Sequence, residues 1–231
     1  MSVIYLYTTN ILHIMDDYDE IGEEPWHKGP IRIIMGLFLA ILIISMVVPF
    51  YSIKTNPEPK GIPTIDEIFP EGIEGDIGNV SILNSKNEYY TLIYQNDPVV
   101  KYAADRIVTE SCRDFNKICY VKAIFYFTRD NFQYVNDPTS FEYVKTARQS
   151  LMSRGGDCDD ASVLMVSLLK AVGIQSRFVF EPGHVYIQAM VPDALDRYKT
   201  EGNWVNLDGT CRYCEFGEIS ISSIDKTKNI V

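Results

Sequence analysis

Hydrophobic and polar positions divide the 231-residue chain into an apolar block near its N-terminus and a longer region where apolar residues recur first at helix and then at strand spacing. The block, Ile33 to Ile53 (IIMGLFLAILIISMVVPFYSI), carries no charged residue, and Ser45 and Ser52 supply its polar content. At about 1.5 Å of rise per residue it reaches roughly 30 Å, the thickness of a bilayer's hydrocarbon core. A core helix of a soluble domain is usually shorter and keeps a polar face, so the pattern predicts one transmembrane helix over residues 31-53. A cleaved signal peptide fits less well, because Val48-Pro49-Phe50-Tyr51 offers no small-x-small cleavage site.

Residues 1-30 ahead of the block carry Asp16, Asp17, Asp19, Glu20, Glu23 and Glu24 and read as an acidic, disordered tail, with Met15 a second candidate start. Residues 54-63 (KTNPEPKGIP) hold three prolines and read as an extended spacer. Residues 64-97 form a lead-in whose periodicity Gly72, Gly75 and Gly78 break, with one or two short strands expected around Tyr89 to Tyr94. The main domain is expected over 98-231.

Within that domain, Asp97-Pro98 pairs an N-cap with a proline at the first helical position, and Val100, Ala103, Ala104, Ile107 and Val108 follow at helix spacing. A second helix is expected from Lys117 to Phe132 and a weaker third from Ser140 to Met152, stopped by Gly155-Gly156. Leu164, Met165, Leu168, Leu169 and Val172 then mark an amphipathic helix from Cys158, closed by Gly173. Strand patterns follow at Ser176 to Glu181, His184 to Val191 and Trp204 to Leu207. Helices first and strands second predict an α+β domain with an antiparallel sheet.

A formal charge of −10 and the lack of any Lys/Arg cluster argue against a nucleic-acid partner. The positive-inside rule is nearly tied, with Lys28 and Arg32 on one side of the apolar block and Lys54 and Lys60 on the other. Cys112, Cys119, Cys158, Cys211 and Cys214 make an odd set. The close pairs 112/119 and 211/214 suit local disulfides, which would place the domain outside the cytoplasm. A four-thiolate zinc site and free buried thiols are the alternatives. Asn79-Val80-Ser81 is a glycosylation sequon.

Cys158 follows Gly156-Asp157 at the start of its helix, where unpaired N–H groups and the positive end of the dipole favour thiolate, the reactive form. Asp157, Asp159 and Asp160 oppose this with negative charge, so a cationic partner is needed. Of the three histidines, His13 and His27 precede the apolar block, which leaves His184, at the head of a strand after Pro182-Gly183. Asp208, ending the run Trp204-Val205-Asn206-Leu207, can bond the imidazole from a neighbouring strand.

The run Gly155-Gly156-Asp157-Cys158-Asp159-Asp160, then Leu168-Leu169 and Val172-Gly173-Ile174, Arg177, Gly183-His184, and Asn203-Trp204-Val205-Asn206-Leu207-Asp208-Gly209-Thr210 resembles the transglutaminase-like superfamily, above all its microbial and archaeal members, over roughly residues 98 to 217. Phe125 to Pro138 also resembles the helix and turn that precede the family's cysteine segment. The resemblance implies a papain-like core with the cysteine helix packed on the sheet. It implies a catalytic triad of Cys158, His184 and Asp208, acting on peptide or carboxamide bonds in a protein or peptide substrate, with hydrolysis favoured over cross-linking. It implies no cofactor and no resident metal. Two departures bear on cleft shape: many members follow the histidine with Ala-Trp where this chain has Val185-Tyr186, and many have proline where Gly209 stands. An inactive scaffold that kept the fold is the alternative function.

Overall fold

The computed structural model describes residues 30–75, 81–93, 97–138 and 143–231. The acidic tail of residues 1–29, Asn79 and Val80 of the sequon, and Ser140, where the third helix was expected to begin, lie outside them. The chain divides into two compact units, one ending at Tyr51 and one running from Ser52 to Val231.

Helix α1, Pro30–Thr55, carries the apolar block, and its residues up to Tyr51 belong to the first unit. Its span Ile31–Tyr51 is long and apolar enough to cross a membrane, and none of it is buried against protein. Pro49 lies inside the helix without ending it.

The second unit begins with a segment expected to stand free as a spacer but docked along the domain instead. Asn56 and Glu58 both receive the Lys122 ammonium, and Lys60 N–H donates to the Ser111 carbonyl at 2.9 Å. Lys122 is almost fully buried, so its charge requires those acceptors. A short helix α2, Ile65–Ile68, follows behind a Thr64/Glu67 capping box. The strand expected at Tyr89–Tyr94 is a 3-10 helix over Lys86–Leu92, and Tyr94 lies outside the described residues. Tyr89 and Leu92, three apart, both bury their side chains, which a 3-10 turn allows on one face.

Helix α3, Pro98–Ser111, begins at Asp97, whose carboxylate caps Val99 and Val100 and takes a two-pronged ion pair from Arg148. Helix α4, Lys117–Asn131, is capped by Asn116 and buries Val121, Ile124, Phe125 and Thr128 as its spacing foretold. A two-residue strand β1, Gln133–Tyr134, leaves α4. Helix α5, Ala147–Ser153, is shorter than expected, because Val144 is extended and bridges to Ser81. Strand β2, Gly155–Gly156, pairs in parallel with β1 and runs into helix α6, Cys158–Ala171.

Helix α6 is buried on nearly every side, with Leu164, Met165, Leu168 and Leu169 in the main core. It packs against α3, α4, α5 and the sheet. That sheet contains β3 (Ser176–Glu181), β4 (His184–Met190), β5 (Trp204–Leu207) and β6 (Asn229–Ile230), in the order β5-β4-β3-β6, with every pairing antiparallel. Along β4, Val185, Ile187 and Ala189 join the core around α6, while His184, Tyr186 and Gln188 alternate onto the other face. The α+β class and the cysteine helix on an antiparallel sheet are as the sequence led us to expect.

Candidate active site

Three chain segments meet at the leading end of α6. Cys158 is the first residue of that helix and Asp157 is its N-cap, accepting N–H bonds from Asp159 at 3.0 Å and Asp160 at 3.3 Å. The approach is fixed by Gly156: an added Cβ there would stand 2.0 Å from Asp160 Oδ2 and 2.7 Å from Asp160 Cβ. No side chain can be accommodated without expelling the Asp160 carboxylate, so the glycine is required by close approach. Asp160, fully buried, takes the Lys145 backbone N–H at 2.7 Å and the Lys145 ammonium through its second oxygen. This pair ties the first turn of α6 to the strand-like segment before α5.

The second segment is the β3–β4 hairpin. Its turn places Gly183 at φ +73°, a conformation other residues adopt only with strain, and so delivers His184 as the first residue of β4. The third is the end of β5. The register Ile187↔Leu207 sets β4 and β5 side by side and brings Asp208 to the imidazole. His184 Nε2 lies 2.9 Å from Asp208 Oδ2, the histidine side chain 18% exposed and the aspartate 2%. Asp208 Oδ1 also accepts Thr210 N–H at 3.2 Å and the Thr210 hydroxyl at 3.0 Å. Nε2 is engaged by Asp208, which leaves Nδ1 as the free ring nitrogen, and the Cys158 sulfur is near enough to help set the protonation of the imidazole. All three residues selected from the sequence thus converge.

The electrostatics follow from burial and pairing. Burial alone lowers the His184 pKa, but hydrogen bonds to Asp208 and Cys158 and the negative charge at both outweigh it and push it up to about 10. Burial raises the Asp208 carboxyl. The bond to His184 and its charge, with the Thr210 bonds, reverse that and hold it below the usual carboxylate range. Asp157 is pushed up to about 6, first by burial and then by the charges of Asp159 and Asp160.

Two site residues were missed by sequence reasoning. Tyr89, from the 3-10 helix, donates its hydroxyl to Asp159 Oδ2 at 2.6 Å, one residue along the chain from Cys158. Tyr134, from β1, is half-exposed at the rim, where its hydroxyl feels Cys158, Asp157, Asp159 and Asp208. Tyr134 had a readable signal, since Phe125 to Pro138 was singled out. Tyr89 had none.

Cys112 pairs with Cys119 and Cys211 with Cys214, leaving Cys158 as the free thiol of the five. The four outer sulfurs are therefore not available as a thiolate set for zinc. The second disulfide closes the turn directly after Asp208, with Cys211 N–H donating to the Asp208 carbonyl at 3.2 Å. Gly209, in the same turn, has Met165 Cε at 2.8 Å and Thr128 Cγ2 at 3.1 Å from where a Cβ would stand. A side chain at this position would collide with both, so the close packing of the turn against α4 and α6 requires glycine.

The family model described as the transglutaminase-like superfamily matches residues 103–209, a span containing Cys158, His184 and Asp208. These residues belong to that superfamily. The match of this segment supports a cysteine-based enzyme at family level. No curated protein matches the chain. Among solved structures, a candidate cysteine protease from Cytophaga hutchinsonii is similar at 17% identity and a TM-score of 0.38, over 59% of this chain. The match takes in 46% of that protein's length, so the chain spans less than half of it.

Proposed function

We propose that the protein is a membrane-anchored, cysteine-dependent acyl-transfer enzyme acting on peptide or carboxamide bonds, with Cys158 as nucleophile, His184 as acid and base, and Asp208 orienting His184. The observation that carries this reading is the 2.9 Å contact between His184 and Asp208, with Cys158 at the start of α6 among the groups that raise the pKa of the same ring.

In this reading the thiolate attacks the substrate carbonyl carbon, and the C=O electron pair moves onto oxygen. The Cys158 backbone N–H, one of the donors that a helix start leaves without an intrahelical partner, stabilises the oxyanion. As the tetrahedral adduct collapses, the imidazolium passes its proton to the leaving nitrogen and the C–N bond breaks, giving a thioester. Water, deprotonated by the imidazole, then attacks the thioester. The C–S bond breaks, the acid is released and the thiolate–imidazolium pair is restored. An amine in place of water would give cross-linking. Cys158 is partly exposed, so water can reach the thioester without a second binding site, which an amine would need, and hydrolysis is the favoured outcome.

Residues 31-53 would hold the enzyme in the bilayer. The two disulfides favour an oxidising compartment, hence an extracytoplasmic domain. A protein or peptide is the expected substrate, and the charge of −10 speaks against nucleic acid. The second reading, a tethered module without turnover, is tested by the same experiment. Full-length protein in detergent is incubated with a tryptic peptide pool, with and without a fluorescent primary amine, and cleavage, ammonia release and amine incorporation are followed. Turnover lost in Cys158→Ala is expected. Equal signal from wild type and Cys158→Ala ends the enzyme reading.

A further inference from the structure

Two acceptors compete for the proton of the Cys158 thiol. One is the His184 ring. The other is Asp159 Oδ1, which lies 3.9 Å from Sγ in donor–acceptor geometry. A proton kept by the His184 ring leaves a nucleophile, whereas a proton kept between sulfur and Asp159 leaves a neutral thiol. Whatever weakens Asp159 as an acceptor therefore favours the active form.

Tyr89 is placed to do this. Its hydroxyl donates to the other oxygen of the same carboxylate, Asp159 Oδ2, at 2.6 Å, a short charge-assisted bond. Its ring is held edge-on between Phe178 and Phe180 of β3, with centroids 5.4 and 4.9 Å away. The donor is thus fixed by core packing and does not depend on a solvent-exposed rotamer. Burial, followed by Asp159 itself, lifts the phenol far above its ordinary range, so it remains a donor at any physiological pH.

We infer that Tyr89 is a positioning residue for Cys158, acting through Asp159: it draws the carboxylate's charge away from the sulfur and leaves the thiol proton to His184. The inference rests on the proposed cysteine chemistry. It also gives the lead-in segment, which precedes the family-matched residues 103–209, a part in the site. The other groups facing the sulfur are His184 from β4, Tyr134 from β1, Asp157 on its own helix, and Asp208 behind the imidazole. Asp160 is already committed to Lys145.

The test is the pH profile of Cys158 alkylation by iodoacetamide in the full chain, read by mass spectrometry, for wild type, Tyr89→Phe, Asp159→Asn and the double variant. Tyr89→Phe keeps the ring packing and removes only the donor. Its profile should move up by about one pH unit, roughly tenfold slower at pH 6. Asp159→Asn should move the profile the other way. In the Asp159→Asn background, Tyr89→Phe should change nothing, because the charge it controls is gone. A purely structural role would leave the profile in place and lower stability instead. An activated Cys158 whose profile Tyr89→Phe leaves unmoved, or moves equally in both backgrounds, overturns the inference alone. A wild-type Cys158 no more reactive than an ordinary thiol overturns the proposed function itself.

Discussion

Asp208→Asn is the perturbation that isolates the pair at the centre of the site. Asparagine keeps an oxygen for Thr210 and nearly the same volume, but removes the charge facing His184. The rise of the imidazole from 6.5 to about 10 caps the pairing free energy near 5 kcal/mol. Part of that belongs to Cys158 and part is screened by solvent at an 18% exposed ring, which leaves about 2 kcal/mol for Asp208. The sign fixes the pH window. A histidine whose folded pKa lies above its unfolded value stabilises the fold fully below about 6.5, and that contribution fades as pH rises through about 10. Asp208, depressed in the fold, must also be ionised, so the contribution disappears again as pH falls below the ordinary carboxylate range. The assay is NMR of the full chain carrying 13C-labelled histidine, with His184→Gln assigning the signal. In wild type the His184 resonance should stay in its charged position through pH 8. In Asp208→Asn it should titrate about 1.5 pH units lower, the equivalent of that 2 kcal/mol. A wild-type His184 that titrates near 6.5, and is indifferent to the substitution, refutes the reasoning.

Other outcomes follow from the surrounding structure. Lys145→Met strips the ammonium from fully buried Asp160 and should cost about 3 kcal/mol in urea unfolding, because one partner of a buried pair is removed and the other charge stays behind. Asp157→Asn keeps a competent N-cap while removing a carboxyl whose pKa is pushed up to about 6. The folded wild type holds that proton more tightly than the unfolded chain, so its stability falls as pH rises from about 4 through 6. The variant's pH–stability curve should be flatter across that window. Cys211→Ser with Cys214→Ser opens the turn after Asp208 and should lower stability by about 2 kcal/mol on loop-closure grounds, with activity retained in the folded fraction. Unfolding midpoints and turnover measured together check this.

The legible parts of the sequence were those governed by short-range periodicity. Helices α3, α4 and α6 carry apolar residues three and four apart behind clear caps, and β3, β4 and β5 carry runs that either alternate or stay apolar because both faces are covered. Cys158, His184 and Asp208 could be selected because each lies at an element boundary with a recognisable turn or cap beside it. What escaped depends on partners far along the chain. The run from Tyr89 looked like a strand because it is aromatic and β-branched, but its burial is set by Phe178 and Phe180. The docked linker depends on Lys122, more than 60 residues away, finding Asn56 and Glu58. Asp157, just ahead of Cys158, is legible as the N-cap of its helix, but nothing in the Asp157-Cys158-Asp159-Asp160 run says that Asp159 meets a tyrosine and Asp160 is buried against Lys145. Cysteine spacing suggested the right pairs but could not separate disulfide from zinc.

Because the other four cysteines are bonded to each other, Cys158 can be followed alone. The most direct measurement compares its iodoacetamide alkylation rate at pH 6 in the folded, non-reduced protein and in the same protein unfolded by urea. An imidazolium held beside the sulfur should make the folded thiol react at least tenfold faster, despite its partial burial. A folded rate equal to or slower than the unfolded one would contradict the pairing on which the proposed chemistry depends.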